Sequence, residues 1–471
     1  MTTAFTNVQR IVLRGSLWSV AQHLVLDLSG AASPSKFLGE LKVGKHWPVG
    51  AWPEEAKRPA LQVSLGFSRF GLERLPLSPQ ILSCFFLKSP AFFAGAPLRA
   101  NSELGASGRN APERWDPAFE FPTLHAVLSV HAGSEDDLVA EVDKICEIAA
   151  GNSVGVRRLP LARKLPKPGE NTAPAAEQYV HFGYRDGLSR VGIKGWKNKD
   201  QLGNYSSISM HEPGEFLLGH AQDCGANPWL ASPQGEVWPQ ELRDFFRDGS
   251  FGVLHQIQQD VPAFEKFIKQ ARDSLGIDPA VLKAKLCGRH PEGQSLAVVA
   301  EAIKPDNPFP DFDYHDDPEG FHCPFGSHMR RMNPRDASMV EASRTRALLR
   351  RGMPYGEPGA DDVGLIAQFF CASIEDQFEH LIGQWADRVP LGSKDRGHAR
   401  DPLAGAHQPG DGVFEIPRQG QAPLPVAGFR AFTRTRGAAY LFYPSLAALE
   451  TMAPGEPAKP TAGALVEEHP A

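Results

Sequence analysis

Three runs of residues have types and spacings that could do chemistry. His181-Phe182-Gly183-Tyr184-Arg185-Asp186-Gly187 sets a carboxylate beside two glycines. Cys323-Pro324-Phe325-Gly326-Ser327-His328-Met329-Arg330-Arg331-Met332-Asn333-Pro334-Arg335-Asp336 places an imidazole ahead of several guanidiniums. Leu349-Arg350-Arg351-Gly352-Met353-Pro354-Tyr355-Gly356 adds another arginine pair. Singly, each has an ordinary structural reading: a glycine-assisted turn, a satisfied structural histidine, and solvated or ion-paired arginines. Together they supply what is needed to hold an iron porphyrin and cleave a peroxide bond. That chemistry requires an imidazole for the metal, guanidiniums for anionic propionates, and a carboxylate with a fixed positive charge on the open side.

The elements that must position these groups follow from hydrophobic periodicity. Val8–Leu13 and Trp18–Leu28 read as strands, Pro34–Leu41 as a short helix, Ala60–Phe67 as a strand, and the stretch around Leu72 as a small helix. Leu124–His131 alternates as a strand does. Ser134–Ala150 is a helix, capped by Ser134 with Glu135, Asp136 and Asp137 in its first turn. Leu159–Gln178 reads as a surface connection. The theme returns with a strand at Gly252–Gln258, a helix at Val261–Arg272, a strand at Gly364–Ala372, a helix at Ile374–Trp385 and a final strand at Ala439–Tyr443.

This order predicts an α+β protein of two ferredoxin-like units with antiparallel sheets and peripheral helices. The expected division is residues 1–240, carrying the G-x-x-D-G run, and 241–453, with a mobile tail at 454–471.

Composition excludes several alternatives. The chain has 471 residues, 49 Lys+Arg against 55 Asp+Glu, and a formal charge of −6. A protein that grips nucleic acid or an anionic membrane needs a concentrated basic surface, so neither partner is expected. No stretch is apolar for long enough to span a bilayer and no secretory signal is evident, so the expected compartment is the cytoplasm. The 6 cysteines form no C-x-x-C pair, which excludes zinc ribbons, thioredoxin-type sites and covalent haem attachment. With 45 Gly and 41 Pro the chain is rich in ordered loops.

The G-x-x-D-G, C-P-x-x-x-H-x-R-R-x-N-P-R-D and R-R-G-x-P-Y-G runs together resemble the dye-decolourising peroxidase family. The likeness continues in Pro213–Gly219, Gly288-Arg289-x-x-x-Gly293, Ala372-Ser373-Ile374-Glu375-x-Gln377-Phe378 and Tyr440–Ser445. The resemblance implies a haem b enzyme that uses hydrogen peroxide to oxidise bulky organic donors such as dyes and phenolics through a ferryl intermediate, working as a homodimer or higher homo-oligomer. Carried over by motif, His328 is the proximal iron ligand, Asp186 the distal acid/base and Arg350 the distal charge stabiliser.

Glu375, with Asp376 behind it, is the candidate acceptor for the second His328 N–H. Arg330, Arg331 and Arg335 are candidate propionate clamps, each with a structural ion pair as the alternative. Phe369 or Phe370 is expected to wall the porphyrin, although a core role fits equally well because the strand is apolar on both sides. The family also implies electron transfer from surface aromatics, for which Trp196, Tyr355, Tyr440 and Tyr443 are candidate relays, with core or motif packing as the competing and more ordinary reading of each. Two other readings are a protein that handles haem itself, by iron release or porphyrin oxidation, and a non-catalytic α+β protein that binds an anion.

Overall fold

The computed structural model describes residues 5–14, 18–50, 59–170, 178–188, 191–196, 209–223, 229, 237–296, 312, 314–334, 345–388, 400–408 and 412–453. The tail at 454–471 and Arg335 lie outside the described residues.

In the first half, strand β1 (Val20–Asp27) leads through helix α1 (Pro34–Val43) to β2 (Leu61–Phe67). Strand β3 (Ala126–Ala132) then leads through α2 (Glu135–Gly151) to β4 (Gly155–Arg158) and the short β5 (Ala162–Arg163). The second half repeats the plan. Strand β6 (Ser250–Gln259), helix α3 (Val261–Leu275), helix α4 (Pro279–Cys287) and the short helix α5 (His328–Met332) precede β7 (Leu349–Tyr355) and β8 (Gly364–Cys371). A π-helical α6 (Ile374–Ala386) and β9 (Thr433–Tyr443) complete it.

Local signals account for several boundaries. Ser134 Oγ accepts the Asp137 N–H at the start of α2, Asp260 accepts the Ala263 N–H at the start of α3, and Gly276 closes α3 in the left-handed region.

Within each half the strands lie in the ferredoxin-like order fourth, first, third, second: β4-β1-β3-β2 and β9-β6-β8-β7. The α+β, antiparallel expectation therefore holds. The halves join edge to edge, through Phe442 opposite Phe67 and Ala162 opposite Tyr355. Because β1 also pairs with β5, the sheet closes into a barrel with no free edge along this path.

The barrel interior is polar as well as apolar. His23 Nδ1 lies 2.8 Å from Ser129 Oγ, and the Gln368 amide donates to Tyr443 OH at 2.9 Å. Burial pushes His23 down to about 3 and His131 down to about 4, so both are neutral there.

The first segment corrects an expectation. Val8–Leu13 does not extend as a strand; Arg10–Leu13 forms one helical turn. The Gln9 amide crosses to the Leu65 and Pro444 carbonyls, and the Arg351 guanidinium takes up the Ile11 and Val12 carbonyls. The turn thus seats against the barrel with its carbonyls satisfied by side chains instead of by a neighbouring strand. Strand β7, which carries the R-R-G-x-P-Y-G run, has no counterpart in the expected elements.

Tyr443 fits between two glycines, and a Cβ on Gly252 would lie 2.4 Å from its ring. With Phe370 packed against the same ring at 4.9 Å, the tyrosine has no room to move. Gly252→Ala is therefore expected to destabilise the protein by about 1–3 kcal/mol, read as a lower urea midpoint. An unchanged midpoint would contradict this packing.

Candidate active site

Alternation along β7 and β8 decides which side chains share a face. Arg350 stands opposite Phe369, and Gly352 opposite Ala367. Across β8, Phe369 is opposite Val253 and Ala367 opposite His255. These residues form the outer face of the barrel, on which Arg350 is exposed and Phe369 half-buried. Arg351 and Phe370 point to the inner face. Helix α6 covers part of the outer face through Phe378, whose ring lies 5.2 Å from Phe369 and 6.1 Å from His255. Burial pushes His255 down to about 4, so it stands neutral beside Thr435 Oγ1 at 3.2 Å.

His328 opens α5. Its Nδ1 lies 2.8 Å from Asp401 Oδ2, and the imidazole is 29% exposed while the carboxylate is wholly buried. With Nδ1 engaged, Nε2 is the nitrogen left for a metal. The Leu403 and Ala404 N–H groups donate to Asp401 Oδ1, both at 2.9 Å. Burial alone would raise the Asp401 carboxyl, but His328, the Arg331 guanidinium and the Ala404 N–H outweigh it and hold it at about 2. Arg331 also donates to the Trp385 carbonyl and, at 2.6 Å, to that of Arg388, which fixes α5 against the end of α6.

Asp186 lies in a tight hairpin in which Gly183 and Gly187 adopt positive φ, +87° and +77°. The loop belongs to the first half of the chain but is anchored on the second. The Phe182 ring packs 4.6 Å from Phe264 of α3, and Tyr184 OH donates to the Lys283 carbonyl of α4 at 2.9 Å. Arg185 N–H donates to the Pro291 carbonyl at 2.8 Å, and the Arg289 guanidinium donates to the Arg185 carbonyl at 2.5 Å.

The end of α4 also touches the histidine segment. A Cβ at Gly288 would lie 3.1 Å from Ser327 Oγ and 3.2 Å from Met329 Cβ. Between these contacts the buried Cys287 thiol is raised chiefly by burial, with smaller contributions from both Asp401 and Asp186. One helix end therefore holds the carboxylate loop and the imidazole in a common neighbourhood. The Gln178 amide completes the arrangement, donating to Asp186 Oδ2 at 3.1 Å and to the Gly352 carbonyl of β7 at 3.2 Å.

Comparison with known proteins gives the same direction. Residues 50–159 match the family model described as the DyP dimeric alpha+beta barrel domain, and residues 217–396 match the Dyp-type peroxidase C-terminal model. The chain belongs to the dye-decolorizing peroxidase family. It is accordingly an enzyme of the peroxidase class. It is 26% identical over 439 residues to a dye-decolorizing peroxidase of Mycetinis scorodonius, covering 84% of this chain and 77% of that one. A dye-decolorizing peroxidase of Mycena epipterygia is 27% identical over 445 residues, with coverage of 84% and 77%. Among solved structures, a DyP-type peroxidase of Anabaena superposes with a TM-score of 0.74 at 20% identity, covering 95% of this chain and 94% of that one. A dye-decolorizing peroxidase in complex with 2,6-dimethoxyphenol gives a TM-score of 0.73 at 23% identity, with coverage of 95% and 99%.

Within this peroxidase several expected roles move. Glu375 is not the acceptor for His328: its carboxylate takes the Ala91 N–H at 2.6 Å and the Ser89 hydroxyl at 3.3 Å, at the start of the Pro90–Ala94 turn. Asp401 has the acceptor position instead. Arg330 is not placed to clamp a propionate. Its guanidinium is 1% exposed, pairs with Asp317 at 3.1 Å, donates to the Cys323 carbonyl at 2.7 Å, and lies over the Phe325 ring. Arg331 is 2% exposed and is engaged by the carbonyls named above.

Phe370 faces the barrel interior against Tyr443, so Phe369 is the member of that pair on the Arg350 face. Tyr355, Tyr440 and Tyr443 are 1–2% exposed, so none of these tyrosines is a surface aromatic. Asp401 and Gln178 escaped the sequence reading. Asp401 lies 73 residues beyond its histidine in a loop without a local motif, and Gln178 closes a segment that reads as surface connection.

A carboxylate held at about 2, below the ordinary value near 4, stabilises the fold fully above about pH 4 and loses that contribution as pH falls toward 2. In the cofactor-free protein Asp401→Asn is expected to cost about 2 kcal/mol at neutral pH. The gap from wild type should close between about pH 4 and 2 in acid unfolding followed by circular dichroism. A gap independent of pH would contradict the assigned charge.

Proposed function

We propose that the chain is a haem b peroxidase that uses hydrogen peroxide to oxidise bulky organic donors, including dyes and phenols. The observation that carries this reading is the His328–Asp401 pair on a helix fixed against α6, which covers part of the outer sheet face that bears Arg350 and Phe369, with Asp186 tied to the Arg350 strand through Gln178. The donor set fits haem: one imidazole with its Nδ1 engaged and Nε2 left over, an apolar wall from Phe369, and a carboxylate with a guanidinium beyond it. Phenolic donors are proposed on the relative solved with 2,6-dimethoxyphenol and on the dye-decolorizing relatives.

Haem, when bound, would supply a redox-active iron porphyrin able to store the two oxidising equivalents that hydrogen peroxide delivers when its O–O bond breaks. His328 would hold it through Nε2, and the negative charge of Asp401 would make that imidazole a stronger donor. Asp186 would take the proton from one oxygen of hydrogen peroxide and return it to the other, which departs as water. Arg350 stays charged at every working pH. It would stabilise the negative charge that develops on the departing oxygen. Asp376 is left without a site role, since its N–H and carboxylate engage Ser373 at the start of α6.

His328→Ala is expected to abolish the Soret band of protein reconstituted with haem. Asp186→Asn and Arg350→Leu should keep that band while slowing the reaction with hydrogen peroxide by about 10²–10⁴-fold in stopped-flow absorption. Full haem binding without His328, or unchanged peroxide reactivity in both distal variants, would overturn the assignment.

A further inference from the structure

We propose that Gln178 is a positioning residue that fixes the Asp186 carboxylate and locks it to the strand of Arg350. This rests on the reading of Asp186 as the proton acceptor. Two bonds join the residues: the Asp186 N–H donates to the Gln178 carbonyl at 2.7 Å, and the Gln178 side-chain amide donates back to Asp186 Oδ2 at 3.1 Å. The same Nε2 donates to the Gly352 carbonyl at 3.2 Å. An NH₂ group has two hydrogens, and here each has one acceptor. The reverse orientation of the amide would set its oxygen against two acceptors, so the network decides which atom is nitrogen.

Gln178 is 8% exposed, so water competes poorly for these bonds. Gly352 lies two residues beyond Arg350 on the same outer face. The amide therefore spans from the carboxylate to the strand that carries the guanidinium.

Two consequences follow for the reaction. With Oδ2 engaged, Oδ1 is the oxygen presented to peroxide, so proton transfer uses one defined oxygen of the carboxylate. The carboxylate also loses freedom to rotate, which keeps proton acceptor and guanidinium at a fixed separation throughout the transfer. An amide cannot itself accept the proton at working pH, so Gln178 acts only through Asp186.

That dependence supplies the test. Gln178→Leu removes the donor, and the near-isosteric Gln178→Glu replaces it with an acceptor that repels Asp186. Both are made in the wild-type and Asp186→Asn backgrounds, with melting temperatures measured to verify folding. Two readouts are taken on haem-loaded protein: the bimolecular rate with hydrogen peroxide, and the dissociation constant for cyanide from the Soret shift. Hydrogen cyanide must also give up a proton as it binds, so its affinity reports the acceptor without turnover.

In the wild-type background both variants are expected to slow the peroxide reaction and weaken cyanide binding by about tenfold or more, as loss of a hydrogen bond to a charged group predicts. In the Asp186→Asn background the same substitutions should change either quantity by less than about twofold. If Asp186→Asn is slow and the folded Gln178 variants are not, the positioning role is wrong while the proton-acceptor reading stands. Equal losses in both backgrounds would also overturn it, by showing a structural effect independent of Asp186. If Asp186→Asn alone is silent, the acceptor reading fails and this inference with it.

Discussion

The bond between His328 Nδ1 and the buried Asp401 carboxylate is the constraint on which the rest of the site depends. A wholly buried carboxylate is costly unless neighbouring charges and N–H groups compensate it. Here an imidazole, two backbone N–H groups and the nearby Arg331 guanidinium do so. The arrangement fixes the tautomer of His328 as well as its orientation, because an acceptor at Nδ1 leaves Nε2 as the nitrogen with a free lone pair. Arg331 then links the pair to the carbonyls at the end of α6, and α6 lies on the outer sheet face. The position of the imidazole is thereby referred to the barrel and not to the five-residue helix that carries it.

The barrel contributes by sorting adjacent side chains onto opposite faces. Arg350 and Arg351 are neighbours in sequence, yet one stands on the open outer face and the other satisfies the carbonyls of the first helical turn. Phe369 and Phe370 divide in the same way. The closed sheet also brings the halves of the chain together at the site. The Asp186 hairpin comes from the first half, but its aromatic residues pack on α3 and α4 of the second, and its carboxylate reaches β7 through Gln178.

Much of this could be read from residue patterns because the signals were local. Ser134 before three acids, the alternation of Leu124–His131 and the paired glycines around Asp186 each act within a few residues, and the structure has the helix, strand and hairpin they imply. The repeated order of strands and helices likewise carried the two ferredoxin-like halves. What escaped depended on contacts between distant segments. Asp401 takes the acceptor role because the 400–408 segment lies against α5, and no spacing in the sequence records that contact. Glu375 was the reasonable alternative at a strand-to-helix boundary, but the Ala91 N–H of the Pro90–Ala94 turn and the Ser89 hydroxyl take its carboxylate there. Arg330 looked available because arginines usually are, until Asp317 and two aromatic rings enclosed it. The Arg10–Leu13 turn replaced an expected strand because side chains of Gln9 and Arg351 satisfied backbone groups that a strand would have paired.

In the proposed function His328 binds haem iron while Asp401 strengthens that bond from the far side of the ring. The most direct measurement is the iron–histidine stretching band in resonance Raman spectra of the reconstituted, reduced protein. A band is expected in the wild type that moves to lower wavenumber in Asp401→Asn, where the negative charge is gone, and that vanishes in His328→Ala. A wild-type protein without the band, or a band unmoved by Asp401→Asn, would contradict it.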